Sequence, residues 1–298
     1  MTLQKKATVV ASSTSVVLII IKLTIGLLSG SVAVLASAID SVLDLIVSMF
    51  NFFAITKSEE KEDSKFNYGK GKIEALAAVI EGTVITISGL FIFYSAVRKY
   101  IDGDKVELLG TSIVVMLISL VITLALVAYL NMVAKKTNSL VIKSDALHYK
   151  TDIFTNAAIL VSLVLVKMSG YDIIDSIVGA AIAVYIIFEA YKIIQEGVYM
   201  LLDGALDSEV VDSIQGILLS EEGVTSYHFL KTRHSANTNF VDVHLVFTPE
   251  ISLIDAHRAS DRVEDKIREL DEENEWIMNV HLDPYDDSQM NDEEHHHH

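Results

Sequence analysis

Two pairs of potential metal ligands occur at the same spacing within long apolar stretches of the sequence. Asp40 and Asp44 lie in "SAIDSVLDLI", and His148 and Asp152 lie in "ALHYKTDIF". In a helix, residues four apart share one face and lie one turn from each other. Three carboxylates and one imidazole could therefore converge from two helices as a set of four oxygen and nitrogen ligands.

The free-energy cost of charged side chains in an apolar stretch is the reason to expect a bound cation between these pairs. On the lenient insertion scale, an ionised Asp at the centre of a membrane helix costs about 2.5–3.5 kcal/mol. A divalent cation would offset that cost. Four such ligands match the tetrahedral sphere of Zn²⁺, and Fe²⁺, Co²⁺ and Cd²⁺ also accept them. The alternative interpretation places these residues at helix ends near an interface, with one aspartate acting in a proton relay.

Six apolar stretches are long enough to carry these residues across a lipid bilayer as helices. They cover about 8–29, 33–56, 74–98, 108–134, 146–168 and 174–200. The chain has 298 residues, of which 51% are hydrophobic, so we do not expect a wholly soluble fold. An even number of spans places both termini on the same side of the membrane.

The distribution of basic residues indicates which side that is. Ten Lys residues lie in the N-terminal segment and in the connections 57–72 and 135–145, whereas four Lys or Arg residues lie on the opposite side. By the positive-inside rule, both termini are predicted to be cytoplasmic.

The acidic residues divide the chain into two regions. Residues 1–200 carry equal numbers of acidic and basic side chains, so the formal charge of −17 comes from the last third of the chain. We therefore predict a membrane domain over 1–204, an acidic soluble domain over 205–286 and an acidic tail over 287–298, with nucleic acid excluded as a partner. The four His that end the tail are interpreted as the remnant of a purification tag, with a native His tail as the alternative.

The soluble domain is predicted to be a small α/β domain with the element order α-β-β-α-β. Helical spacing alternates with β-branched, strand-like segments, and the polar turn "HSANT" joins the first two strands. In chain order the segments are 208–221, 224–233, 239–247, 252–271 and 275–284. Ser252 is the predicted N-cap of the second helix.

Five histidines fall in this acidic domain, and the chain has no Cys that could serve as a metal ligand. His281 and Asp283 are two residues apart and so face the same side of a strand. For any single His, the alternative is a hydrogen-bonded surface or core imidazole. Five of them in one short domain weaken that alternative. They are His228, His234, His244, His257 and His281, and His234 is assigned to the turn.

Together these features resemble the cation diffusion facilitator family, and most closely its bacterial zinc/iron exporters. The resemblance rests on D-x-x-x-D in the second span, H-x-x-x-D in the fifth, six spans and a small C-terminal α/β domain. It covers about residues 8–285. It implies six transmembrane helices followed by a ferredoxin- or metallochaperone-like cytoplasmic domain. It also implies a homodimer in the bacterial inner membrane that exports a divalent metal in exchange for protons, and is therefore a secondary transporter and not an enzyme.

The resemblance further implies two groups of metal ligands. The transport site falls on Asp40, Asp44, His148 and Asp152, and the His in the fifth span is typical of the zinc type rather than the manganese type. A regulatory two-metal site is implied in the cytoplasmic domain, close to the dimer contact, with an aspartate able to bridge the ions. Its residues are His228, His244, His257, His281 and Asp283.

Two other features of the family have counterparts in the sequence. Lys72 and Asp203 match a charge interlock that ties the membrane domain to the cytoplasmic domain. Zinc exporters often carry a third metal site in the second cytoplasmic connection. That site is expected to be lost here, because Asp63 remains but Phe66 and Lys70 stand where the site has His.

Other functions compete with proton-coupled zinc export. A membrane metalloenzyme is disfavoured because four protein ligands close the sphere that a catalytic Zn²⁺ keeps open. The chain also lacks H-E-x-x-H and G-x-S-x-G. A passive cation channel must release its ions quickly, which four convergent ligands oppose. A manganese-preferring exporter of the same family and a metal sensor are also compatible with these residues.

Overall fold

The computed structural model describes residues 1–29, 32–102, 110–169, 173–271 and 274–286. For some helical residues, Asp40 among them, the backbone alone is described. The predicted acidic tail with its four His lies outside the described residues. The chain divides into two compact units between Val198 and Tyr199.

Six long helices precede the soluble elements, as the apolar stretches predict. They are α1 (Leu3–Ser29), α2 (Val32–Ser58), α3 (Lys72–Asp102), α4 (Gly110–Thr137), α5 (Leu140–Ser169) and α6 (Ile173–Leu201). The shortest has 27 residues. At about 1.5 Å per residue it extends about 40 Å, which exceeds the hydrocarbon thickness of about 30 Å.

Among the described residues, five helices are long and apolar enough to cross a membrane. These stretches are Leu3–Ile25, Ser41–Ser58, Lys72–Arg98, Leu117–Thr137 and Ser176–Leu201. Helix α5 is not among them, although the sequence predicts a span there. Its N-terminal half carries two acidic and two basic residues besides His148, namely Lys143, Asp145, Lys150 and Asp152.

Helix α5 is nevertheless surrounded by its neighbours, because it packs against α1, α2, α3 and α4. Tyr149 and Ile142 of α5 are fully buried, in one cluster with Ile55 of α2 and Leu130 of α4. On another side, Leu147 belongs to a cluster that includes apolar residues of α3 and α6. Helix α5, with five ionisable residues between positions 143 and 152, is thus held from several directions, and this packing fixes where its polar side chains point.

The C-terminal unit has the predicted element order. It contains α7 (Ser208–Ser220), β1 (Val224–Ser235), β2 (Thr238–Phe247), α8 (Leu253–Arg268) and β3 (Glu275–Asp283). The three strands form a sheet in the order β1-β2-β3, with β1 antiparallel and β3 parallel to β2. Helix α8 supplies the crossover that a parallel pair requires.

The two faces of this sheet have different characters because side chains alternate along each strand. Val241, Val243 and Leu245 of β2 are buried with apolar residues of α7 and α8, such as Leu218 and Val263. The intervening residues of β2 therefore point away from the helices. This alternation assigns His244, with His228 and His281 that pair with it, to the second face.

Local predictions in this unit are partly correct. Ser252 caps α8 as expected, since its Oγ accepts a hydrogen bond from the backbone N–H of Asp255. The assignment of His234 to the turn is wrong. His234 is part of β1, and its Nδ1 lies 2.6 Å from Oδ1 of Asn239 on β2. The turn itself contains only Ala236 and Asn237.

Glu221, directly after α7, connects that helix to α8. Its side chain is buried and accepts hydrogen bonds from Arg262 Nε at 2.7 Å and Lys266 Nζ at 2.8 Å. Burial alone would raise the pKa of Glu221. The hydrogen bonds from Lys266 and Arg262 outweigh it and hold the pKa below its ordinary value.

We predict that Glu221→Gln lowers the free energy of unfolding of this unit by about 1–3 kcal/mol at neutral pH. A depressed pKa in the folded state stabilises the fold above the ordinary glutamate pKa, and this contribution is lost as the pH falls through the folded pKa. The difference between wild type and variant should therefore shrink below about pH 4. This difference is measured by denaturant unfolding at neutral pH and below about pH 4, followed by the fluorescence of the single tryptophan, Trp276.

Glu264→Gln is the matched control for this prediction, because Glu264 pairs with Arg268 on the outer side of α8. Its removal should cost less than about 1 kcal/mol. An equal loss for Glu221→Gln at neutral and acidic pH would contradict the proposed ionic contribution.

Candidate metal centres

In the membrane unit, Asp44 of α2 meets His148 and Asp152 of α5. One ligand atom from each of the three lies within 4.8 Å of the others. Asp44 Oδ1 is 3.1 Å from His148 Nε2, and Asp44 is buried whereas the other two are half-buried. Three of the four predicted ligands are therefore brought together. The fourth, Asp40, lies one turn earlier on α2, but its side chain is not among those described.

Tyr149 fixes the relation between the two helices that carry this cluster. Its hydroxyl oxygen lies 2.8 Å from Ser15 Oγ of α1 and 2.8 Å from Ser48 Oγ of α2. Its ring stands edge-on to that of His148, with the ring centroids 5.6 Å apart. Because Tyr149 adjoins one ligand in sequence and Ser48 lies one turn from Asp44, these hydrogen bonds align α2 and α5 beside the cluster.

Lys22, to which the sequence gives no role, lies beside the acidic face of α2. It is buried, and its Nζ donates to Ser41 Oγ at 2.8 Å. Asn156 of α5 donates to the backbone oxygen of Asp152 at 2.7 Å. The first of these hydrogen bonds connects α1 to α2, and the second is a contact with the backbone within α5.

Two buried carboxylic acids near this cluster were not identified from the sequence. Asp145 of α5 is fully buried and Glu81 of α3 is 4% exposed. Both interact electrostatically with His148. Asp145 precedes His148 by three residues, a helical spacing that could have indicated proximity. Glu81 was detectable only as an ionisable residue within an apolar helix.

In the C-terminal unit, the strand register places three imidazoles side by side. His228 of β1 pairs with His244 of β2, and His244 pairs with His281 of β3. One ligand atom from each of His228, His244 and Asp283 lies within 4.8 Å of the others.

Asp283 is the centre of this second cluster. Its Oδ2 lies 2.9 Å from His244 Nδ1 and 3.5 Å from His228 Nε2, whereas its Oδ1 lies 3.0 Å from His281 Nε2. The carboxylate is 6% exposed. Oδ2 thus faces the imidazoles of His244 and His228, and Oδ1 faces that of His281. His228, His244 and Asp283 together could hold a metal ion.

His257 is not brought into this cluster. It lies on α8, its ring is exposed, and its Nε2 is 3.8 Å from Asp261 on the same helix. The reason is the layering of the unit: α8 packs on one face of the sheet through Ala256 and Val263, and the other imidazoles occupy the opposite face. His257 instead lines an apolar pocket with Leu253, Ile254 and Leu282.

In the connection between α2 and α3, Lys70 pairs with two of the acidic residues. Lys70 Nζ lies 2.8 Å from Glu60 Oε2 and 3.0 Å from Asp63 Oδ2. Hydrogen bonds from Lys70 and from the backbone N–H of Lys65 hold the pKa of Asp63 below its ordinary value. A lysine therefore contacts the carboxylate that would remain as a metal ligand in this connection.

The predicted interlock involves residues of separate compact units and remains a prediction. Lys72 begins α3 in the first unit, whereas Asp203 follows α6 in the second. Within its own unit, Asp203 Oδ1 accepts a hydrogen bond from Arg233 Nη1 at 3.1 Å.

Comparison with known proteins identifies relatives along nearly the whole chain. The family model described as the cation efflux transmembrane domain matches residues 8–202, and the one described as the cytoplasmic domain of cation efflux proteins matches residues 206–285. The chain is 34% identical to the cation-efflux pump FieF of Klebsiella pneumoniae subsp. pneumoniae and 35% identical to that of Citrobacter koseri. Each alignment covers 89% of this chain and 88% of the relative.

A solved structure gives a weaker likeness. The C-terminal domain of the magnetosome protein MamB from Desulfamplus magnetovallimortis is 16% identical, with a TM-score of 0.24. The match covers 25% of this chain and 91% of that domain. A score this low supports no conclusion about fold or function.

We predict that Tyr149→Phe destabilises the membrane unit by about 1–3 kcal/mol, because two buried serine hydroxyls lose their partner. The ring and its packing are retained, so the loss reports the hydrogen bonds alone. Thermal unfolding of the purified protein in detergent measures the effect.

Tyr185→Phe serves as the control, since the Tyr185 hydroxyl accepts a hydrogen bond from Lys150 at an exposed position. Its melting temperature should stay close to that of wild type. Equal melting temperatures for Tyr149→Phe and wild type would contradict the role assigned to the buried hydroxyl.

Proposed function

Because the chain belongs to the cation diffusion facilitator family, and is therefore a divalent-cation efflux transporter and not an enzyme, we propose that it exports Zn²⁺ in exchange for protons. The observation that carries this proposal is the convergence of Asp44, His148 and Asp152 within a unit of long apolar helices. Asp40, one turn from Asp44, is the proposed fourth ligand.

The donor set supports Zn²⁺ as the preferred cargo. An imidazole nitrogen together with carboxylate oxygens suits a borderline-soft ion of tetrahedral preference. Fe²⁺, Cd²⁺ and Co²⁺ accept the same donors, and a manganese preference would be better served by oxygen ligands alone. The imidazole of His148 is therefore the residue that favours Zn²⁺ over Mn²⁺.

Proton coupling follows from the competition of metal and protons for the same groups. Imidazole and carboxylate must be deprotonated to bind a metal ion. Histidine is also the side chain whose ordinary pKa lies nearest to physiological pH. Asp44 and His148 are within hydrogen-bond distance, so a proton held between them would keep the pair neutralised when the metal has left.

The placement of the protein in the cell is part of the same proposal. The basic connections 57–72 and 135–145 support a cytoplasmic location of both termini at a bacterial inner membrane. The acidic C-terminal unit then faces the compartment from which the metal is taken. Two copies of the chain form the proposed transporter, and Lys72 with Asp203 form the proposed interlock between its domains.

We assign the cluster around Asp283 a regulatory role. His228, His244 and His281 would hold two divalent cations together with the bridging carboxylate, and their charge would offset that of an acidic surface. His257 is proposed as an additional ligand. In a single chain it is exposed on α8 and lies apart from this cluster. Bound metal would stabilise this unit, because ions that bind only the folded state shift the folding equilibrium towards it.

We predict that Asp44→Ala and Asp152→Ala each reduce Zn²⁺-driven proton movement in proteoliposomes by at least about 10-fold, since each removes a ligand. The measurement follows the internal pH with a fluorescent dye after Zn²⁺ is added outside. Glu189→Ala is the matched control, because Glu189 is also a carboxylate of an apolar helix but pairs with Lys192.

Three outcomes would contradict this proposal. Wild-type rates in Asp44→Ala would exclude the cluster as the transport site. Zn²⁺ flux without proton movement would indicate a passive channel. Tighter binding of Mn²⁺ than of Zn²⁺ to the wild type, measured by calorimetric titration, would overturn the zinc preference.

For the cytoplasmic cluster, we predict that Asp283→Ala removes the Zn²⁺ held by the soluble unit, because all three imidazoles lose the carboxylate that they share. Metal analysis of the full chain after dialysis measures it, with residues 295–298 deleted so that the terminal His do not bind metal. His234→Ala, which removes an imidazole bonded to Asn239, should leave the metal content unchanged. The same metal content in Asp283→Ala and wild type would contradict the site.

A further inference from the structure

A second group of polar side chains is enclosed between α2, α3 and α5. It comprises Asn51, Glu81, Ser144 and Asp145. Three of these residues have no exposed surface and Glu81 is 4% exposed. By distance and angle their side chains share one hydrogen bond, in which Asn51 Nδ2 donates to Glu81 Oε2 at 3.1 Å. The Ser144 hydroxyl also acts on Glu81, but without the geometry of a hydrogen bond.

This enclosed group has more hydrogen-bond acceptors than donors. Both carboxyl oxygens of Asp145, Oε1 of Glu81 and Oδ1 of Asn51 are buried without a hydrogen-bond partner in the described part of the chain. The Asn51 amide acts on Asp145 but without the geometry of a hydrogen bond. Buried polar atoms in folded proteins are almost always hydrogen-bonded, so the group lacks a donor. The Ser144 hydroxyl could supply one donor at most.

The charges around Asp145 favour a proton as the missing donor. Glu81 from α3 and Asp44 from α2 both act on it as like charges, and His148 on its own helix acts as an opposite one. Within the described ranges, no Lys or Arg side chain hydrogen-bonds to either Asp145 or Glu81. Two adjacent carboxylates without a cation between them are stabilised when they share a proton.

We propose that Asp145 and Glu81, bridged by Asn51, form a proton-binding site separate from the metal ligands. A proton on Asp145 allows its O–H group to donate to Asn51 Oδ1, while Asn51 Nδ2 donates to Glu81. One added proton then places Asn51 between a neutral acid and a carboxylate and gives a donor to the acceptors that lack one. On release, the carboxyl O–H bond breaks and the proton passes to water, with no change in oxidation state.

The position of the site connects this proton to the cargo, a step that rests on the proposed function. Asp145 lies one helical turn from His148, and Asn51 lies two turns from Asp44 on α2. A divalent cation at the transport site would repel a proton held nearby, so metal binding should expel it. Because Asp145 has no exposed surface, exchange with water requires α2, α3 and α5 to separate, which ties proton release to conformation.

Infrared spectroscopy of the full-length protein tests the site without any metal or transport. In metal-free protein at neutral pH, we expect a carbonyl band of a buried protonated carboxyl group, lost or shifted in both Asp145→Asn and Glu81→Gln. Asp44→Ala should keep that band. Saturating Zn²⁺ should diminish the band in wild type and leave it unchanged in Asp44→Ala.

Several results would overturn the proposal. A spectrum that is the same in wild type, Asp145→Asn and Glu81→Gln would show that the pair holds no proton. A stoichiometric metal ion lost in Asp145→Asn, with the carboxyl band intact, would show that the pair binds a cation instead. A band that persists in wild type at saturating Zn²⁺ would show that metal binding does not expel the proton. Failure of the wild type to bind Zn²⁺ would count against the transport proposal, and the metal-free spectra would still decide the proton site.

Discussion

The cost of burying ionisable groups among apolar helices is the constraint on which the membrane unit depends. Helix α5 carries five ionisable residues between positions 143 and 152, and it is also the helix surrounded by α1, α2, α3 and α4. That position supplies polar partners which lipid cannot: serines for Tyr149 and a carboxylate for His148. The remaining charge must be met by a cation or by protons, and the exchange proposed above rests on alternation between the two.

The two candidate metal sites are assembled by different means. In the membrane unit, a four-residue helical repeat aligns His148 with Asp152, and Tyr149 aligns their helix with that of Asp44. In the soluble unit, the alternation and register of three strands align the imidazoles, and a single carboxylate, Asp283, contacts all of them. Helix packing can change while the ligands within one helix stay aligned. A hydrogen-bonded sheet holds its ligands at fixed separations. The first arrangement agrees with the transport role proposed for its residues, and the second with the proposed regulatory site.

Features that depend on residues close in sequence could be predicted, whereas contacts between distant elements could not. The six helices, the α-β-β-α-β order and the faces of His148, Asp152, His281 and Asp283 follow from local periodicity, which the sequence displays directly. The grouping of Asp145 with Glu81 depends on packing between α3 and α5, about which neither segment carries information alone. The position of His257 likewise depends on which sheet face α8 covers.

The alternation of side chains along β2 makes the proposed metal site sensitive to strand register. Because successive residues of β2 face opposite sides, a register slip of one residue would exchange His244 for Val243 or Leu245. The donors would then enter the apolar layer, and aliphatic side chains would take their place around Asp283. An insertion at the two-residue turn of Ala236 and Asn237 that shifted this register would therefore act like the loss of a ligand, although the inserted residue would contact no ligand. Metal binding at the proposed site would therefore require the correct strand register.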